Sequence, residues 1–247
     1  MNNHNLASYD MMNFTIREIT ECGRNLRKMG EGASSMEETA NRLVRYLYER
    51  LIIGQTDRRA CALARFFKTH TFENLDEELK TITRSILGNA PVPKDMKCLI
   101  LVATAGEKSE WESRRSSSGH RSIPLPSVEA VGRIPMMKNL IKQVGMDVSV
   151  LVRPDPKIML DMEQKAFNVF YVPAAMGSPY IPAQDEFVIP YGIKSVLGLG
   201  GLLPMGDVFI IILFMKVEIP KEVADLFKNI ALNVKIAILP FEKTVFA

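Results

Sequence analysis

His120 lies in a run of residues able to grip an anion. Around it stand Arg114, Arg115 and Arg121, with Ser116, Ser117, Ser118 and Gly119 between them. Arginine presents fork-shaped donors that match carboxylate and phosphate oxygens, and hydroxyls and a glycine backbone add more. A solvated basic loop has the same composition and is the competing reading. Trp111, the one tryptophan of the chain, sits in the same polar stretch. Its ring either stacks on a ligand or anchors the loop to the core. Tyr171, Tyr180, Phe187 and Tyr191 flank the proline-punctuated run VPAAMGSPYIPAQDEFVIPYG. They could wall a pocket over a sheet or pack beneath a loop.

Other chemistries have less to stand on. Cys22, Cys61 and Cys98 lie far apart without paired spacing, which fits reduced thiols in a cytoplasmic protein better than disulfides or zinc. Cys61 and Cys98 fall in expected strands, where a thiol is an inert apolar side chain. The acidic residues show neither paired-carboxylate nor metal-ligand spacing. A haem-ligand role for His120 or His70 lacks a neighbouring group to orient the ring. Gly198, Gly200 and Gly201 join two strands rather than opening a helix, so a hairpin turn explains them better than a phosphate loop.

Composition sets the outer limits. The 247 residues can bury one substantial core, and 47% hydrophobic with 24% charged residues is ordinary for a soluble protein. A net charge of +3 is too small to argue for nucleic acid. The polar N-terminus lacks the apolar region of a signal peptide. Pro204 and the Gly206-Asp207 pair break up Val196 to Val217. The apolar remnant is far short of the ~20 residues of a spanning helix. The abrupt ending at residues 243–247 is expected to belong to a longer protein.

The elements follow from periodicity. Met12, Ile16, Ile19, Cys22 and Leu26 fall on one helical face, and Ser35 with Glu38 forms a capping box ahead of a second helix carrying Leu43, Val44 and Leu47. Arg59 to His70 reads as a strand, Asp76 to Leu87 as a helix, and Cys98 to Ala103 as a central strand. Glu107 to Pro126 is a polar loop. A helix over Pro135 to Val144 follows, then a strand over Asp147 to Arg153, a short helix over Leu160 to Ala166 and a strand over Phe167 to Val172. Ile193 to Leu199 and Val208 to Val217 pair as antiparallel strands across Gly200, Gly201, Pro204, Gly206 and Asp207. Leu99 to Val102 and Phe209 to Phe214 are expected in interior strands. Pro220 opens a last helix with Val223, Phe227, Ile230, Val234 and Ile238 on its apolar side. The sum is an α+β fold with a central antiparallel sheet and amphipathic N- and C-terminal helices.

With these elements placed, the chain resembles the GAF family of sensory domains, especially the input modules of bacterial sensor kinases. SSMEETANRLVRYLYERL resembles the first helix, ACALARFFKTH and CLILVATAG two strands, and SGHRSIPL the loop into the pocket region. IKSVLGLGG, DVFIIILFMK and IPKEVADLFKNIALNVKIAI resemble the closing hairpin and exit helix. The resemblance implies a sheet with terminal helices on one face and loops around a small-molecule pocket on the other. It also implies an N-terminal arm and signalling helix over residues 1–33 ahead of a sensory domain over 34–247.

The expected function is therefore a cytoplasmic, non-enzymatic input domain of a two-component signalling protein. It passes the state of a small ligand through its terminal helices to a downstream domain, as a homodimer. The stripe of Met12, Ile16, Ile19 and Leu26 supplies the dimer contact. The ligand site is expected between the sheet and the Glu107 to Pro126 loop, lined by Trp111, Arg114, His120, Tyr171 and Tyr191. Arg115 and Arg121 are expected to face water. The cofactor stays open, and neither nucleic acid nor a membrane span in this chain is expected. The alternatives are a ligand-free dimerisation module, or an enzyme on the same scaffold such as a thiol-dependent reductase. Some GAF relatives reduce free methionine sulfoxide with cysteines in pocket loops, where this chain has none.

Overall fold

Runs of β-branched and aromatic residues build six strands, which assemble into one antiparallel sheet. The computed structural model describes residues 7–54, 56–88, 90–145, 148–152 and 169–246. In chain order the strands are β1 (Tyr9–Asp10), β2 (Leu51–Ile52), β3 (Cys61–Thr71), β4 (Lys97–Gly106), β5 (Ser122–Leu125), β6 (Val169–Val172), β7 (Ser195–Leu202) and β8 (Val208–Met215). The helices are α1 (Ile16–Arg27), α2 (Met36–Arg50), α3 (Glu77–Leu87), α4 (Val128–Gly132), α5 (Pro135–Val144), α6 (Val148–Val152) and α7 (Lys221–Ile238). The main sheet runs β5-β4-β3-β8-β7-β6, while β1 and β2 form a separate parallel pair. Both β4 and β8 are interior and almost wholly buried, as their continuous apolar character requires. The α+β expectation stands.

One face of the sheet carries the long helices. Phe66, Phe209, Ile211 and Leu213 point into a core shared with Leu43 and Leu47 of α2 and Phe227, Ile230 and Val234 of α7. α1 lies on α7 and buries Ile19, Cys22 and Leu26 in that same core, whereas Met12 and Ile16 stay exposed. Ile19 and Leu26, half of the stripe that asked for a second copy, are thus covered by this chain's own last helix, which weakens the motive for a dimer through it. α1 begins at a complete capping box, Thr15 with Glu18. At α2 the Ser35 hydroxyl accepts from the Glu38 N–H, but the Glu38 carboxylate turns to Ser34. The next two free N–H groups, of Met36 and Glu37, donate to the carbonyls of Thr244 and Val245 at 2.9 and 2.8 Å. The C-terminal tail therefore fills the donors that every helix start leaves open.

The opposite face is covered by short and irregular segments. Leu63, Phe67, Leu99, Leu101, Ile210, Ile212 and Phe214 meet Val131, Leu140 and Ile141 of α4 and α5 there. A bulge sets the register: Phe66 faces Ala103 and Phe67 faces Leu101, so Val102 is the extra residue. Two sequence expectations need correction. Residues 148–152, expected as a strand, form the short helix α6, whose Val150 and Leu151 pack into this second core. Gly200 and Gly201 lie inside β7, not in the turn. A Cβ on Gly200 would come within 2.3 Å of the Phe209 carbonyl, so the two strands approach as only glycine permits. The helix expected over 160–166 lies outside the described residues.

Candidate functional site

Arg65 and Thr104 face each other across β3 and β4, with Ile212 on the other side of Arg65 in β8. Cross-strand partners share a face, and Ile212 belongs to the second core, so both polar residues point away from the long helices. Thr104 is 1% exposed and Arg65 is 8% exposed. Three of the groups that meet the Arg65 guanidinium come from the Glu107 to Pro126 loop. Nη2 donates to the Ser117 hydroxyl at 3.2 Å, and Nη1 approaches the Gly119 carbonyl at 3.5 Å and His120 Nδ1 at 3.4 Å. Arg65 Nε and Thr104 Oγ1 are buried without a hydrogen-bond partner among the described residues. Among the described residues no carboxylate pairs with Arg65, and burial alone lowers its pKa to about 10.

His120 is exposed and holds a positive φ of 59°, a conformation the surrounding loop must enforce. Its imidazole pKa is lowered, first by desolvation of the part against the protein and then by the Arg65 charge. For Nη1 to donate to it, Nδ1 must be unprotonated. Sequence placed His120 in a basic loop but missed its partner, because Arg65 lies 55 residues away in an apolar strand.

One rung further along the sheet stands an aromatic wall. Trp111 lies 4.8 Å from Tyr191 and 5.7 Å from Phe187, and Phe187 meets Phe214 edge-on at 4.8 Å. Trp111 reaches the sheet because Gly106 has no side chain: a Cβ there would sit 2.8 Å from its ring. Lys108 Nζ stands 5.5 Å from the Trp111 centroid and 5.2 Å from that of Tyr191. Two irregular segments of the chain, 107–121 and 173–194, thus converge over β3, β4 and β8.

The structure brings Trp111, Tyr191 and His120 to this face and takes Arg114 and Tyr171 elsewhere. Arg114 turns to α2, where Nε and Nη2 donate to the Glu37 carboxylate at 2.7 and 3.1 Å, and its guanidinium lies 4.2 Å from the Phe246 centroid. Tyr171 packs against the core on the helix side, and its hydroxyl donates to the Ile219 carbonyl. Arg115 is exposed, as expected; Arg121 instead pairs with Glu78 at 2.7 Å and is largely covered.

A second charged centre lies at the far end of β3. Asp207 accepts from Lys68 Nζ at 2.5 Å, Lys97 Nζ at 2.8 Å and the Thr69 hydroxyl at 3.1 Å. Burial raises the Asp207 pKa, but Lys68 and Lys97 outweigh it and hold the carboxylate ionised. This centre shares one carboxylate between two ammonium groups and ties the hairpin turn to β3. His70 nearby is buried against Phe246, and burial followed by the Lys68 charge pushes its pKa down to about 3.

The thiols are out of reach. Cys22, Cys61 and Cys98 are all fully buried and unpaired. Burial raises each thiol pKa, that of Cys61 to about 12 and that of Cys98 to about 11. No group of three or more metal-ligating side chains occurs among the described residues, and no described helix is long and apolar enough to cross a membrane.

No family model matches the chain, and no curated protein matches it. A solved structure does: free methionine-R-sulfoxide reductase from Neisseria meningitidis, in complex with its substrate. The identity is 11%, the TM-score 0.51, and the match covers 96% of this chain and 96% of that one. The likeness extends over nearly the whole chain and establishes a GAF-like fold. It also corrects the expectation of a domain without enzymatic activity, because the matched chain carries catalysis on this scaffold.

Proposed function

We propose that this chain is a GAF-like domain that binds a small molecule on the sheet face opposite its long helices, in a sensory or regulatory role. The observation that carries the reading is the convergence of Trp111, Tyr191 and His120 from two separate irregular segments onto one patch of β3, β4 and β8. Aromatic surface beside a few convergent polar groups is the usual make-up of a small-molecule site. A bacterial sensor protein is the natural setting for such a module. The terminal helices α1 and α7 lie on the other face of the same sheet, where a change in strand packing would reach them.

A second reading is favoured by the fold neighbour: reduction of an oxidised sulfur, as in free methionine-R-sulfoxide. In this chain the reaction would need a thiolate from Cys22, Cys61 or Cys98, each of which burial holds protonated. The fold neighbour backs this alternative more than the sensory reading, while the burial of all three thiols counts against it.

The test uses the lone tryptophan as its own reporter. Trp111 fluorescence of the purified chain is followed while amino acids, free methionine-R-sulfoxide, nucleotides and small carboxylic acids are titrated in turn. The reading expects a saturable change with at least one class, lost in Tyr191→Ala. A flat response to every class overturns it. A dithiol-dependent loss of methionine-R-sulfoxide that disappears in a cysteine variant would install the reductase reading instead.

A further inference from the structure

Arginine binds a carboxylate best through the edge formed by Nε and Nη2, and this molecule contains an example. Arg114 uses that edge on Glu37, at 2.7 and 3.1 Å. Among the described residues, Arg65 presents the same edge with only Ser117 on Nη2 and nothing on Nε. The hydroxyl of Thr104, its cross-strand partner on β4, is likewise buried and unpartnered. Two unsatisfied polar groups with one uncompensated charge, adjacent on a buried sheet face, are costly unless something meets them.

We propose that Arg65 and Thr104 form a carboxylate subsite: the ligand of this face is a small carboxylic acid whose apolar body lies toward Trp111 and Tyr191. The inference rests on the reading that this face binds a small molecule. The desolvated guanidinium, with no counter-charge to restore its pKa, fits a built cation site. A carboxylate rather than a phosphate follows from the donor count. The subsite offers a planar guanidinium edge and a single hydroxyl, whereas a phosphate dianion calls for more donors and more charge. The position of the wall fixes the other end. Leu63 and Gly106, beneath Trp111, are two residues along from Arg65 and Thr104. That separation is about 6–7 Å, a span suited to a ring or short chain attached to the carboxylate. Ser117 and Gly119 brace the guanidinium from the loop side, so the charge is held in place before the ligand arrives.

The experiment compares benzoate, benzamide and phenylphosphonate by calorimetry on the wild-type chain, with Trp111 fluorescence in parallel. Benzoate is expected to bind, benzamide roughly 10-fold or more weaker, and phenylphosphonate no tighter than benzoate. Arg65→Gln should lose benzoate affinity by roughly 10- to 100-fold, and Arg65→Lys should recover only part of it. Thr104→Val should weaken benzoate several-fold and leave benzamide less affected. Equal affinity for benzoate and benzamide would overturn the subsite, since a bridging water serves either. Tighter phenylphosphonate would overturn the carboxylate class. The wild-type comparison stands even if Arg65→Gln fails to fold. Failures at two levels are distinct. If neutral compounds saturate Trp111 as well as anions do, the subsite falls and the ligand-binding face remains. If none of the three moves Trp111, the subsite falls, and the ligand-binding face falls with it when every other class is flat as well.

Discussion

Arg114 of the loop grips Glu37 of α2 through two hydrogen bonds, and Phe246 of the C-terminal tail closes over the pair. The loop that supports Arg65 through Ser117 and His120 is thereby tied to a helix and to the tail. Arg114 is 5% exposed, so removing its partner strands a buried charge. Glu37→Ala is expected to cost on the order of 3 kcal/mol in urea denaturation, more than Arg114→Ala costs. An equal or reversed order would show that the guanidinium escapes to water.

The sheet was largely legible from the chain, because its strands are continuous apolar runs between turn formers. Leu99 to Val102 and Phe209 to Phe214 could be read as interior strands on that ground, and α5 from Met136, Met137, Leu140 and Ile141. Residues 148–152 were not legible: Val, Val, Leu and Val suit a strand locally, and packing against the second core overrides that preference. The site was half legible. Composition marked the loop with Trp111 and His120, but nothing local says that Arg114 turns to Glu37, a contact spanning 77 residues. The signal for Arg65 was present and small. It is a cation at an alternating position of an apolar strand, where burial without a partner is the exception.

His70 makes stability depend on acid. Its folded pKa, about 3, lies below the ordinary 6.5, so the fold favours the neutral ring. The stability this contributes is complete above pH 6.5 and is lost as pH falls through the unfolded value toward the folded one. One such proton contributes up to ~1.4 kcal/mol per pH unit across that window. The fall in unfolding free energy below pH 6.5 should be shallower in His70→Gln than in wild type. Parallel curves would mean that other groups carry the acid sensitivity.

Lys68 is 1% exposed and depends on Asp207 for its charge. Asp207→Asn is expected to destabilise by roughly 3 kcal/mol, and Lys68→Met in that background to restore part of the loss. Additive losses in the double variant would show that the two do not act as a pair.

His120 reports on Arg65. Desolvation and the Arg65 charge lower its pKa, so Arg65→Gln should move it back toward 6.5 in an NMR titration, as should saturation with benzoate. No movement in either case would separate the imidazole from the guanidinium.

The thiols bear on the reductase alternative. At pH 8 the native chain should react negligibly with a thiol reagent, and the unfolded chain should release three equivalents, from Cys22, Cys61 and Cys98. A fast-reacting thiol in the native state would place a nucleophile within reach of solvent.

The most direct measurement of the central claim is the proton–nitrogen NMR spectrum of the chain during titration with benzoate. The Arg65 Nε–H peak is identified by its loss in Arg65→Gln, and the Trp111 indole peak is unique. A ligand seated on the sheet face beneath the loop should move both peaks with one saturation curve, the Arg65 peak downfield, while the Arg114 Nε–H stays with Glu37. Movement of Arg114 alone, or of neither Arg65 nor Trp111, would contradict the account.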